Sequence, residues 1–180
     1  FGHLLHDILT KTELSSQAGS SVAMDFVEAP SQMLENWVWN KQSLSLFATH
    51  YITNEIIPDS LLNRMMKARN IQSGNNLLQQ IFYGILDLTL HEEYDPSNVK
   101  STTVIMSELQ NSITNYPYTE GTHQQASFDH LIDYGASYYG YLWSEVFAAD
   151  MYSVFEKEGV LNQEVGLWFR KTILEKGGTE

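Results

Sequence analysis

Apolar residues recur along most of this chain at helical rather than strand spacing. Over residues 1–12, Leu4, Leu5, Ile8 and Leu9 share one helix face. The Ser/Gly-rich stretch 15–21 interrupts the pattern and reads as a loop. A second helix is predicted from Asp25 or Phe26, with Asp25 as its cap and Met33, Leu34, Trp37 and Val38 on one face. Pro30 falls near its start, where a missing N–H is best tolerated. Residues 42–50 and 59–69 suit shorter helices separated at Pro58. A long helix is predicted over 75–92, carrying Leu77, Leu78, Ile81, Phe82, Ile85 and Leu86. Asp95-Pro96 should end it, and Ser97 should cap another helix running to about Ile113. Pro117, Gly121 and many polar residues mark 115–127 as a loop. Further helices are expected over 137–157 and 163–174, the last stopped by Gly177-Gly178. No segment alternates as a strand would, and there is no repeat or linker. The fold class expected is all-α, with 1–180 as a single helical unit.

Composition narrows the function classes. Hydrophobic residues make up 43% of the chain and charged residues 18%, enough apolar material for a core. A formal net charge of -12, from 22 acidic against 10 basic side chains, argues against nucleic-acid and anionic-membrane partners. Such a charge favours neutral or cationic partners only weakly, because solubility explains it as well. There is no cysteine, so disulfides, thiolate catalysis and Cys-ligated zinc are excluded. A metal would have to be held by His, Asp or Glu. The absence of cysteine is compatible with a reducing compartment, and a cytoplasmic location is expected. No apolar run approaches the ~20 residues that span a bilayer. The chain starts at Phe1 with a helical pattern already running. It is therefore expected to be cut from a longer chain upstream of Phe1.

The first residues, Phe1-Gly2-His3-Leu4-Leu5-His6, place two His at i, i+3 on one helix face. Such pairs are common surface features. Phe1-Gly2-His3 is also what remains when a His-Glu-x-x-His helix is cut after its Glu. That motif sets two His one turn apart on one zinc, with the Glu as general base toward water. A further ligand often comes from a separate helix downstream. Here Asp25-Phe26-Val27-Glu28-Ala29-Pro30-Ser31-Gln32-Met33-Leu34-Glu35-Asn36-Trp37 follows, across a loop that lets one helix fold back on the other.

These two motifs together resemble the thimet oligopeptidase, neurolysin and oligopeptidase A family of zinc metallopeptidases. The similarity continues through Leu131, Tyr138-Tyr139-Gly140-Tyr141-Leu142-Trp143-Ser144-Glu145, Glu158-Gly159 and Gly177-Gly178, so it covers essentially the whole chain. The resemblance implies the helical catalytic half of a zincin-type oligopeptidase, which in that family faces a second half across a deep channel. It implies one Zn2+ per complete active site, with His3 and Glu28 as protein ligands. The first ligating His and the general-base Glu would precede Phe1. His6 matches a further His of the motif and is expected behind the ligands or in a structural role, since a catalytic zinc keeps a place open for water. Glu35, two turns beyond Glu28, either orients a ligating His or is a solvated or capping carboxylate.

The segment from Phe128 to Tyr141 carries Tyr134, Tyr138, Tyr139 and Tyr141. Composition alone favours packed aromatics with wet tips. Gly135 and Gly140, after a long polar loop, also suit a segment that closes on substrate. By resemblance, His130, Tyr134 and Tyr141 donate to the carbonyl oxygen that turns anionic in the transition state, with Tyr138 a lesser candidate. Tyr139 is expected to pack inward. Relatives carry a longer, Gly-Gly-containing stretch after the His; Leu131-Ile132-Asp133 stands there instead and predicts a stiffer loop. His50 and His91 read as surface or helix-end residues, and His123 as a loop residue.

The expected function is zinc-dependent hydrolysis of short oligopeptides by the full-length protein, expected to be a monomer. The fragment is expected to be inactive and, with apolar surface uncovered at its ends, prone to self-association. The alternative is a catalytically dead helical protein that still binds peptides.

Overall fold

The computed structural model describes residues 1–92, 95, 97 and 100–179. It is all-α: among these residues there is no strand, and one isolated bridge joins Thr49 to Ile56. The α-helices are α1 (Gly2–Leu9), α2 (Ala29–Glu35), α3 (Lys41–Leu44), α4 (Asp59–Ala68), α5 (Ser73–Glu92), α6 (Thr102–Ile113), α7 (His130–Asp133), α8 (Gly140–Glu158) and α9 (Gln163–Phe169). A π-type turn, Arg170–Leu174, extends α9 to the end expected from the sequence. No helix among the described residues is long and apolar enough to cross a membrane.

The chain forms two compact units, Phe1–Asn70 with Trp143–Glu180, and Ile71–Leu142. In the first, Ala29 and Met33 are fully buried against Ala148, Met151 and Phe155 of α8 and Val165 and Phe169 of α9. Ala29 and Met33 meet the same neighbours because they are four apart, one above the other on a single face. Trp37 closes this core. Its ring packs edge-on to Tyr152 and Phe155, at 5.4 and 4.9 Å, and its Nε1–H donates to the Val160 carbonyl at 2.9 Å. In the second unit, Phe82 and Leu86 of α5 pack on Ile105 and Met106 of α6. Each such side chain contributes about 1.5–3 kcal/mol by leaving water.

Several local expectations give way to tertiary structure. The second helix starts at Ala29, not at Asp25, and has no side-chain cap. Tight turns occupy 23–29, with Phe26 and Val27 N–H donating to Ala23 O, and Pro30 then sets the helical start. A 3-10 turn, Asn36–Trp39, follows α2 and rotates Val38 off the shared face to 47% exposure. The helix expected over 42–50 stops at Leu44. Beyond it, His50 N–H donates to Glu55 O, Asn54 N–H to His50 O and Ile57 N–H to Ala48 O, around Asn54 at φ 58°. The β-branched residues of 49–57 and an Asn that tolerates left-handed backbone favour this turn over helix. On α5, Leu77 and Ile85 are exposed, while Gly84 and Asp87 are buried with Phe82 and Leu86. Ser97 does not cap α6, whose cap position is Ser101. Its N–H and hydroxyl both donate to Asp95 Oδ1, an Asx turn. Pro96, assigned the end of α5 from sequence, lies outside the described residues.

Candidate functional site

The first group of interest is built where α1 meets α2. Gly2 allows the approach: a Cβ on it would stand 2.4 Å from Ser31 Cα, closer than any side chain can sit. With the helices this close, His3 Nε2 lies 3.0 Å from Glu28 Oε2. Ser31 hydroxyl donates to the same oxygen at 2.7 Å and to the Glu28 carbonyl at 2.8 Å, fixing the carboxylate. The His3 side chain is 44% exposed and that of Glu28 22%, so the pair remains accessible.

Two donors that each sit about 2.0–2.2 Å from a tetrahedral zinc are roughly 3.3 Å apart. One imidazole nitrogen and one carboxylate oxygen 3.0 Å apart therefore fit two positions of such a site by type and spacing. They do not complete it. Among the described residues no group of three or more His, Asp or Glu is placed to hold a metal ion.

His6 is 1% exposed, and neither ring nitrogen has a hydrogen-bond partner among the described residues. Burial pushes its pKa below the ordinary value of 6.5; nearby Asp7 opposes this and His3 adds to it. Folding thus favours neutral His6. Its contribution to stability is full above pH 6.5 and is lost as pH falls below 6.5 toward the lowered folded value. The thermal midpoint should therefore drop more between about pH 7.5 and about pH 5.5 in the unmodified protein than in His6→Leu. Equal drops in the two would show that His6 does not titrate across folding. Asp7, beside it, accepts from Ser20 N–H at 2.8 Å and Ser20 hydroxyl at 3.0 Å, and the backbone bond is the main reason its pKa is lowered. These bonds tie the 15–21 loop to α1. Glu35 is exposed at the C-terminal end of α2, and its side chain has no hydrogen bond or ion pair among the described residues.

The second group lies within Ile71–Leu142. His130, Tyr134, Tyr138 and Tyr141 come together: the His130 ring is 5.2 Å from Tyr134, 4.8 Å from Tyr138 and 5.8 Å from Tyr141, centroid to centroid. Tyr138 and Tyr141 are 5.0 Å apart. Residues 130–133 form the short helix α7, so the Leu131-Ile132-Asp133 stretch is a helical turn. Tyr138 hydroxyl donates to Gln80 Oε1 at 3.1 Å. Burial pushes this phenol above its ordinary value of 10; Tyr83 raises it further, the Gln80 bond lowers it, and Tyr141 raises it again. It stays a neutral donor across the physiological range. Tyr139 is 42% exposed rather than packed inward, because its backbone rests on Gly84 of α5 and leaves the ring outside.

Sequence reading passed over two residues that shape this group. Asp87 is fully buried and accepts from Ala136 N–H and Tyr138 N–H, each at 2.9 Å. His91, read as a surface or helix-end residue, is 33% exposed yet bridges Asp87 to the Leu131 carbonyl. The Asp-x-x-x-His spacing on α5 was the available signal. His50 and His123 remain exposed; the His50 ring bonds only the local Ile52 and Thr53 N–H groups, while His123 Nδ1 lies 3.3 Å from the Thr103 hydroxyl of α6.

The sequence model of Peptidase family M3 matches residues 1–180. Oligopeptidase A of Salmonella typhimurium is 39% identical over 183 residues, covering 100% of this chain and 27% of that protein. Saccharolysin of Saccharomyces cerevisiae is 39% identical over 182 residues, covering 98% of this chain and 25% of its own. A mitochondrial intermediate peptidase of Arabidopsis thaliana is 34% identical over 180 residues, covering 100% and 25%. The chain thus spans about a quarter of the length of these relatives.

Proposed function

The chain belongs to peptidase family M3, and from that premise we propose that the whole protein hydrolyses peptide bonds in short oligopeptides with the help of zinc. In that protein the 180 residues are part of a larger helical catalytic domain. The observation that most supports the reading is the His3–Glu28 pair, 3.0 Å apart and buttressed by Ser31. His3 Nε2 and the Glu28 carboxylate would hold the metal. Bound zinc supplies Lewis acidity toward the scissile carbonyl and toward the attacking water.

The chain's own residues do the rest of what it contributes. Ser31 holds Glu28 Oε2 in place, so the carboxylate loses little freedom on taking up a ligand role. Tyr141, helped by Tyr134 or His130, donates to the carbonyl oxygen as it gains negative charge, and Tyr138 takes a lesser part because its hydroxyl already serves Gln80. A phenol suits this task, since it donates while remaining neutral. Assigning these donors and the ligand pair to one reaction rests on the family resemblance. The reading also requires a further His ligand and a water-deprotonating Glu from sequence beyond Phe1.

The test compares the whole protein with the 180-residue chain on a quenched fluorescent peptide of about ten residues and on a folded protein, since the deep channel implied by the resemblance would admit the one and not the other. The whole protein should cut the peptide and spare the folded protein. The 180-residue chain should not cut either, because this reading gives it two metal donors and takes the general base from elsewhere in the whole protein. Peptide binding by the whole protein without cleavage would replace this reading with the binding-protein one. Zinc-dependent turnover by the 180-residue chain would show that the missing groups are not required.

A further inference from the structure

Asp87 and His91 lie one turn apart on α5 and reach three backbone points of the 131–138 segment. Asp87 Oδ1 accepts from Ala136 N–H and Oδ2 from Tyr138 N–H, both at 2.9 Å. His91 Nδ1 is 2.8 Å from Asp87 O and 3.0 Å from Asp87 Oδ1, and Nε2 is 3.1 Å from Leu131 O. All three of these oxygens can accept, so the ring spans Asp87 and the Leu131 carbonyl. Gly135 makes room for it: a Cβ there would stand 2.4 Å from His91 Nε2. Ala136, whose N–H is held by Asp87, sits at φ 60°, a conformation that costs a non-glycine residue energy and persists only when neighbours impose it.

We propose that Asp87 and His91 are positioning residues, a clamp that sets the backbone of 131–138 and thereby aims the His130, Tyr134 and Tyr138 side chains. The clamp acts on the backbone on both sides of the strained residue, and it bonds Tyr138 N–H directly. A fully buried carboxylate costs a great deal unless its oxygens are satisfied. Here both oxygens are satisfied by segment amides, so leaving the clamp would strand the carboxylate as well as free the segment. Its consequence for catalysis rests on the peptidase reading above; its consequence for the segment does not.

The experiment has two arms. Amide exchange at Ala136 and Tyr138 is followed by NMR in the 180-residue chain, unmodified and as Asp87→Asn. Losing charge-assisted bonds should speed both amides by about tenfold or more, with α6 amides unchanged. In the whole protein, Asp87→Asn should lower kcat about tenfold or more with KM little changed, the pattern of misplaced transition-state donors. Tyr138→Phe should then cost less in the Asp87→Asn background than alone. Unchanged exchange at both amides overturns the clamp, and additive losses overturn its positioning role. If Asp87→Asn does not fold, His91→Gln decides by the same readouts, since that ring is partly exposed. If the unmodified whole protein hydrolyses nothing, the peptidase reading fails, and the exchange arm alone decides the clamp.

Discussion

Tyr141→Phe in the whole protein is expected to lower kcat by about 10²- to 10³-fold, the effect of removing one oxyanion donor. Tyr141 is the second residue of α8, and its ring lies among those of His130 and Tyr138. The substitution removes one oxygen and leaves the ring, so packing in the aromatic group should survive. Bound zinc should be unchanged, because the proposed ligands are His3 and Glu28. The measurement is kcat and KM together with metal content of the purified variant. Retained kcat would remove Tyr141 from the mechanism. Loss of metal along with activity would point to a structural role instead. Tyr134→Phe should cost less, since helping Tyr141 is a role it shares with His130.

Glu28→Ala is expected to weaken zinc binding by about 10²- to 10³-fold. Structural zinc sites bind with roughly 10–16 kcal/mol shared among four ligands, or about 2.5–4 kcal/mol each. Folding should be nearly untouched, which makes the outcome readable. Glu28 occupies the cap position of α2 yet makes no side-chain cap bond, and it is partly exposed. Removing it frees the Ser31 hydroxyl to bond water or the Glu28 backbone carbonyl, which it already reaches at 2.8 Å. Zinc affinity by chelator competition, with the far-ultraviolet circular dichroism signal as the folding control, tests this. His3→Ala should behave alike. Full affinity in both variants would take this pair out of the metal site.

The main helices could be read from the chain alone. The helical reading located α1, α4, α5, α8 and α9 to within a few residues, because apolar spacing records which face a helix buries. The motifs around His3 and Glu28 and the tyrosine-rich segment also carried the family. Neighbours beyond the sequence window decided the rest. Pro30 marked the start of α2 in sequence, but nothing near Asp25 announces the 23–29 turns before it, or that Ser144 hydroxyl would reach back to the Asp25 carbonyl at 2.7 Å. The 42–50 stretch has helical composition, but Asn54 and the pairing of 48–50 with 54–57 outweigh that weak local preference. His91 looked like a solvated helix end because its partner carbonyl, Leu131 O, is 40 residues away. Asp87 drew no reading from the sequence, yet it is fully buried and bonds amides 49 and 51 residues distant. Periodicity and propensity sum over a few turns of chain. Whether a carboxylate is solvated or bonded inside depends on which distant backbone arrives beside it, and that is settled only when the chain packs.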